Sequence, residues 1–296
     1  MGPLSRDMAL NIQRMTGLSC QLFGSGRMAL AAALRNLKME PGQGVAIPAY
    51  SCPDVAVAVR MAGLEPVPVD CTEAGLTDVA AVTTLARDGV VSATVAVHLF
   101  GLVDEGVAAL TELLPVVEDT SHVPPGRHVP GSAAVAGSLE ATKLIGAGEG
   151  GYLLADEIED ARELGARISD LSAYIGSRQL ERLDENLSRR ESIAKRYAAT
   201  ISPWQAGHPG RKAWFRFVVH AKDSHTVDKI IEAGAKRGIS LRRPIATLPV
   251  DPPLETEYPN SHSLLARLVS IPLLPDLKDE EIYRVVIFLD ELGEFL

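Results

Sequence analysis

Short, continuously apolar runs set between stretches of helical periodicity constrain this chain more than any other feature. Residues 44–50 read GVAIPAY, 65–70 EPVPVD, 90–101 VVSATVAVHLFG and 114–119 LPVVED. Between them lie PDVAVAVRMAG (53–63), with Pro at its first turn and Gly at its end, then DVAAVTTLARDG, and a further helical stretch at 104–113. Strands that are apolar at consecutive positions are buried on both faces. When helices separate such strands, the strands run parallel and the helices cover both sides of the sheet. The fold class that follows is α/β, with a mostly parallel sheet sandwiched by helices. Its ligand site is expected at the carboxyl ends of the strands.

The pattern changes further along. Residues 156–200 read as helical and charge-rich, with QLERLDENLSRRESIAKRYAATI placing Leu180, Leu183, Leu187 and Ile193 at helical spacing. AWFRFVVHA (213–221) reads as a strand and TVDKIIEAGAKRG as a helix. A Pro-rich loop (243–259) and a final helix, DEEIYRVVIFLDELGEF, complete a small α+β domain. The expected division is a large domain over 1–200, including a long connecting helix, and a small C-terminal domain over 201–296.

Charge and cysteine usage narrow the partners. The formal net charge of -9 disfavours a nucleic-acid backbone as partner, because phosphates demand a basic face. No apolar run is long enough to span a membrane. The opening MGPLSRDMALNIQRM lacks the apolar core and cleavage site of a secretion signal, and it has no basic patch that would support a lipid anchor. Cys20, Cys52 and Cys71 are too few and too scattered for a disulfide framework. Reduced thiols and a cytoplasmic setting are expected.

Four stretches could carry chemistry. In FGSGRMALAAALRNL, a Ser-Gly pair opens an Ala/Leu-rich helix and leaves backbone N–H groups free at its N-terminus. Such groups cradle a phosphate, although Ser25 also reads as an ordinary N-cap. In VVEDTSH, Asp119 and His122 stand where a buried strand ends. A buried carboxylate needs a cationic partner, and a protonated ring nitrogen of a cofactor would serve; a capping Asp in a loop is the alternative. His98, His122 and His128 show no metal-ligand spacing, so no metal site is expected. In SLEATKLIGAGEGG, Lys143 sits among small residues, with Ser138 ahead of it and glycines behind. Desolvation there would lower its pKa and leave its amine neutral enough to attack a carbonyl. A phosphate cradle, a strand-end carboxylate and an imine-forming lysine together are what pyridoxal 5'-phosphate (PLP) requires.

The ordered set GSGRMAL, VAIPAYSCPDVAVAVRMAGLEPVPVD, VHLFGL, VVEDTSH, SLEATKLIGAGEGGYLL, SDLSAYIGSRQLERLDENLSRRESIAKRY and LVSIPLLPDLKDEEIYRVV resembles the DegT/DnrJ/StrS-type sugar aminotransferases. These have the fold type I, aspartate-aminotransferase architecture. The resemblance covers most of the chain and implies a seven-stranded, mostly parallel sheet in a PLP-binding domain. Carried over, Lys143 is the lysine that holds the cofactor as an imine and Asp119 the partner of the pyridine nitrogen. His122 falls beside the ring hydroxyl, Ser138 binds the phosphate, and Gly26 and Arg27 supply the backbone that cradles it. Related dehydratases carry histidine in place of the lysine, so Lys143 favours transamination.

The chain departs from the pattern in four places. Cys52 lies where many members have an aromatic that stacks on the cofactor, with Tyr50 two residues away as a substitute. Arg27 replaces the usual threonine. The excursion after GGYLL is short and lacks the asparagine that reaches the partner subunit's cofactor phosphate. The N-terminal arm is short as well. The implied function is transfer of an amino group from an amino acid, glutamate by preference, to a ketone acceptor, a nucleotide-linked keto-sugar by resemblance, within a homodimer. A non-sugar ketone, or a PLP-binding protein without turnover, stays open.

Overall fold

The chain is described here by a computed structural model covering residues 2–159, 167–207, 212–249 and 256–292. Its first part runs α1 (Pro3–Thr16), β1 (Ser19–Phe23), α2 (Gly26–Arg35), β2 (Gly44–Pro48), α3 (Asp54–Met61), β3 (Glu65–Val69), α4 (Val79–Arg87), β4 (Ala93–Val97), β5 (Val116–Asp119), β6 (Ala134–Ser138) and β7 (Gly151–Ala155). The remainder runs α5 (Asp170–Glu181), α6 (Leu183–Ala198), β8 (Phe217–His220), α7 (Ser224–Lys236), α8 (Pro259–Arg267), β9 (Leu268–Ile271) and α9 (Asp279–Glu291).

Among the described residues, seven strands form one sheet in the order β1-β7-β6-β5-β4-β2-β3. The five strands β3, β2, β4, β5 and β6 pair in parallel, and β7 runs antiparallel to both β6 and β1. This is the mostly parallel α/β sheet expected from the sequence. β3 carries Pro66 and Pro68, which lack an N–H, and it lies at the end of the strand order, where proline is tolerated. Helix α2 buries Ala29 through Ala33 almost completely against the sheet. The small alanines let its backbone approach β6 and β7 closely. Tyr152 of β7 folds over Gly137 of β6 so tightly that a Cβ at 137 would lie 2.2 Å from its ring.

A second, antiparallel pair, β8 and β9, packs with α7 and α9 around Phe217, Val269, Ile282 and Phe288. Helix α6 joins the two parts. Leu183 and Leu187 pack with the large sheet, whereas Ile193, Ala194 and Tyr197 pack with the second.

Several elements differ from the sequence expectation. The apolar run 90–101 yields a strand only over Ala93–Val97. Val90 and Val91 close the turn after α4 onto the Leu85 carbonyl, and Leu99–Gly101 forms a 3-10 turn with Phe100 in the left-handed region. The stretch 104–113 holds a 3-10 turn, Glu105–Leu110, in place of an α-helix. The Asp104 carboxylate that could cap a helix accepts the Thr77 N–H (2.8 Å) instead. The helical expectation over 156–200 holds only from Asp170 onward and breaks at Arg182; residues 160–166 lie outside the described residues, and with them part of the shortened excursion. Within 213–221 only Phe217–His220 is strand, because Trp214 turns into the left-handed region at φ 48°. Pro259 opens α8 within the expected loop, of which 250–255 lie outside the described residues, as do 293–296 after the final helix. Helices α1 and α8 and strands β1, β6, β7 and β9 had no counterpart in the sequence reading.

Candidate active site

The carboxyl ends of β1, β2, β4, β5 and β6 converge on one cavity of about 590 Å³. Its far wall comes from the second part of the chain, through Arg216 and Pro244–Thr247. Gly26, Arg27, Cys52, Asp119, His122, Ser138 and Lys143 all line it, so the fold gathers residues spread over more than a hundred positions of sequence.

One end of the cavity is built on α2. Ser25 is extended (φ -158°, ψ 161°) and its Oγ accepts the Met28 N–H (3.3 Å), so it is indeed an N-cap. The helix N-terminus beside it opens onto Ser138 across a narrow gap. A Cβ at Gly26 would stand 2.7 Å from Ser138 Cβ and 3.1 Å from its Oγ. Arg27 ion-pairs with Asp54 (2.9 Å), at the start of α3, across the cavity wall. The guanidinium that replaces the expected threonine is thus already engaged by the protein.

Lys143 lies further in. The turn after β6 is fixed by the Lys143 N–H on the Glu140 carbonyl (2.9 Å) and the Ala147 N–H on the Leu139 carbonyl (2.8 Å). It presents Lys143 Nζ 3.1 Å from His122 Nε2 and 5.4 Å from the centre of the Phe215 ring. Burial pushes the amine below its ordinary pKa, and Arg216 adds to the shift against the opposing pull of Asp119, Cys52 and Glu140. His122 stacks on Phe215 (4.2 Å between ring centres), and the Phe100 N–H donates to its Nδ1 (3.2 Å). Burial, and then the charges of Lys143 and Arg216, push its pKa well below the imidazole range. Asp119 ends β5, and its Oδ1 accepts the Ser121 N–H (2.9 Å).

Two residues depart from the sequence expectation. Tyr50 does not line the cavity. It is fully buried against Phe100 (6.4 Å, edge-on) in the apolar cluster that joins the two parts, so it offers no stacking face there. The chain leaving β2 turns Cys52 to the cavity and Tyr50 away from it. His98 lines the cavity but is engaged elsewhere. Its Nε2 meets Glu118, with both side chains wholly buried, and its Nδ1 accepts the Asp104 N–H (3.1 Å). Among the described residues no His, Cys, Asp or Glu cluster is arranged to hold a metal ion. Phe215 and Arg216 were missed by the sequence reading, which placed them inside a strand. Arg216 sits over the Phe215 ring (5.3 Å), and burial, then Arg242, brings its pKa down to about 10. Arg243 turns outward to Asp228 (2.7 Å).

The model of the DegT/DnrJ/EryC1/StrS aminotransferase family matches residues 18–290. The chain belongs to this family. The enzyme is a PLP-dependent aminotransferase. The erythromycin biosynthesis sensory transduction protein EryC1 of Saccharopolyspora erythraea is 25% identical to this aminotransferase over 311 aligned residues, covering 90% of this chain and 84% of EryC1. Two solved structures share its fold. DesV from S. venezuelae superposes with a TM-score of 0.85 at 23% identity, covering 100% of this chain and 91% of DesV. PseC from Helicobacter pylori superposes at 0.86 and 18% identity, covering 99% of this chain and 92% of PseC.

Proposed function

We propose that this aminotransferase moves the amino group of an amino acid, glutamate by preference, to a keto-sugar carried on a nucleotide. The observation that carries the reading is the desolvated Lys143 amine, sharing one cavity with Asp119 and with the Gly26–Ser138 gap. These residues fit PLP. The α2 N-terminus offers the Gly26 and Arg27 N–H groups to a phosphate, and Ser138 Oγ lies across the gap. Asp119 would hold a proton on the ring nitrogen, and His122 would stand beside the ring hydroxyl. Lys143 Nζ would hold the aldehyde carbon. When bound, the cofactor supplies an electron-withdrawing ring that accepts electrons from the donor's α-carbon. With the cofactor in place, Lys143 Nζ would be the group positioned to carry a proton from the donor's α-carbon, as base and then as acid. Phe215 and His122, both against Lys143 Nζ, shield the amine.

The sugar acceptor finds support in the relatives. PseC is described as acting in pseudoaminic acid biosynthesis, and EryC1 is named for erythromycin biosynthesis. A homodimer is part of the proposal. Leu171, Tyr174 and Ile175, spaced to share one face of α5, leave 70%, 52% and 38% of their surfaces exposed. The three free cysteines suit a cytoplasmic setting, and no described helix is long and apolar enough to cross a membrane. EryC1's designation as a sensory protein supports a second reading, cofactor binding without turnover.

The test is the absorbance spectrum of the protein supplied with PLP, before and after glutamate, with Lys143→Ala beside it. A visible band that glutamate bleaches, absent in the variant, is the expected result. A band indifferent to every amino donor would select the second reading. Parallel initial-rate lines with both substrates varied would support the two-stage scheme, and intersecting lines would refute it.

A further inference from the structure

The buried Phe100 amide and two cavity-lining side chains, His122 and Lys143, form a chain whose protons can be placed. The Phe100 N–H donates to His122 Nδ1 (3.2 Å), so that nitrogen accepts and bears no proton. The ring is clamped between Phe100 (6.1 Å, 17°) and Phe215 (4.2 Å, 14°), which fixes its plane. Burial above all, with the Arg216 charge adding to it, keeps the ring uncharged whether or not Lys143 is protonated. A neutral imidazole with a bare Nδ1 carries its proton on Nε2. Nε2 lies 3.1 Å from Lys143 Nζ. An ammonium has three donors and no acceptor, so it would face this N–H proton to proton. A neutral amine offers a lone pair, and the contact becomes a hydrogen bond.

We infer that the Phe100 amide fixes His122 as its Nε2–H tautomer, and that His122, by donating to Lys143, holds that lysine as the free amine, ready to attack an aldehyde. The inference rests on Lys143 being the cofactor's anchor. His122 is then a positioning residue, acting before the cofactor arrives. The backbone supports it. Phe100 sits in the left-handed region (φ 57°, ψ 18°), and its carbonyl accepts the Arg216 N–H (3.3 Å), which ties the turn to the Phe215–Arg216 segment. The groups facing Lys143 divide. Asp119 after β5, Glu140 after β6 and Cys52 after β2 favour the ammonium, whereas Arg216 ahead of β8, together with burial, favours the amine. A donor at Nε2 adds to the second side.

Two measurements on the full-length, cofactor-free chain test this. Nitrogen-15 NMR of the histidine rings, with the His122 signal assigned by its loss in His122→Gln, is expected to show a bare Nδ1 and a protonated Nε2 at neutral pH. A protonated Nδ1, or a charged ring, would overturn the inference without touching the anchor. The second is the rate at which added PLP develops its visible band, measured against pH. A glutamine can turn its carbonyl to an ammonium, so His122→Gln should raise the apparent pKa of the capturing amine. Each unit of rise slows capture about tenfold near neutrality, with recovery at alkaline pH. Identical pH profiles for the two proteins would refute the role of His122. A band in Lys143→Ala would overturn the anchor itself, and the inference with it.

Discussion

Replacing Gly26 with alanine tests the cradle between α2 and β6 by geometry alone. The added Cβ would lie 2.7 Å from Ser138 Cβ and 3.1 Å from its Cα, and ordinary contact begins at 3.4 Å. The gap must therefore open by 3.4 − 2.7 = 0.7 Å. No flexible side-chain tip can yield, because the obstruction is the root of Ser138. Helix α2 cannot slide back freely either, since Ala29 through Ala33 are packed against the sheet. Overpacking of this kind costs about 1–3 kcal/mol. Alanine's better helix propensity offsets at most about 1 kcal/mol of it. The net destabilisation, about 1–2 kcal/mol, should move the urea midpoint of the cofactor-free chain down by roughly 0.5 M. Cofactor binding should suffer separately. A cradle opened this far loses hydrogen bonds to a charged phosphate, each worth about 1.5–3 kcal/mol, so affinity for PLP should fall by roughly tenfold or more. Urea denaturation and a PLP titration read the two effects. An alanine variant with the wild-type midpoint and affinity would refute the reasoning that the helix end and Ser138 form one rigid phosphate site.

Three further outcomes follow from contacts described above. Glu118→Ala would strand His98 Nε2–H and the Val129 N–H (3.0 Å) in a dry interior and release the half-buried Ser132 hydroxyl, and should cost about 3–5 kcal/mol in a denaturation experiment, far more than Glu118→Gln. His122 has a folded pKa well below its ordinary 6.5, so the unfolded chain binds the extra proton first; stability of the cofactor-free protein should fall as pH drops below 6.5 towards the folded pKa, and His122→Phe should flatten that slope in melting curves across pH. Arg27→Ala breaks an ion pair whose side chains are 45% and 51% exposed, so the melting midpoint should move by less than about 1 kcal/mol in equivalent stability.

How far the sequence announced all this depended on the kind of signal. The buried strands β2 and β5 are continuous apolar runs, and the edge strand β3 is marked by Val67 and Val69 alternating with Pro66 and Pro68, so local pattern suffices for all three. β4 came out too long because Val90, Val91 and Leu99 are apolar for other reasons: they close turns, and no periodicity marks the point where Phe100 turns left-handed. The pair β8–β9 depends on a partner about fifty residues away, and LVSI alone is too short to announce it. Lys143, Asp119, Ser138 and Gly26 were legible as candidates, as the residue types that PLP calls for, and the fold brings them to one cavity. Phe215 and Arg216 were not, because their role depends on the turn at Trp214, which breaks an otherwise regular strand pattern. Tyr50 and Cys52 stand two residues apart, and only the path of the chain out of β2 decides which of them meets the cavity.

The prolines of β3 have a consequence for how the molecule meets its own kind. The Glu65 N–H and the Val69 carbonyl face β2, so the alternate residues Pro66 and Pro68 face outward. At those two positions the border carries carbonyls but not one amide hydrogen. A strand from another molecule arriving there would find acceptors and no donors, and could complete only half a ladder. The sheet is therefore closed to edge-to-edge growth on this side.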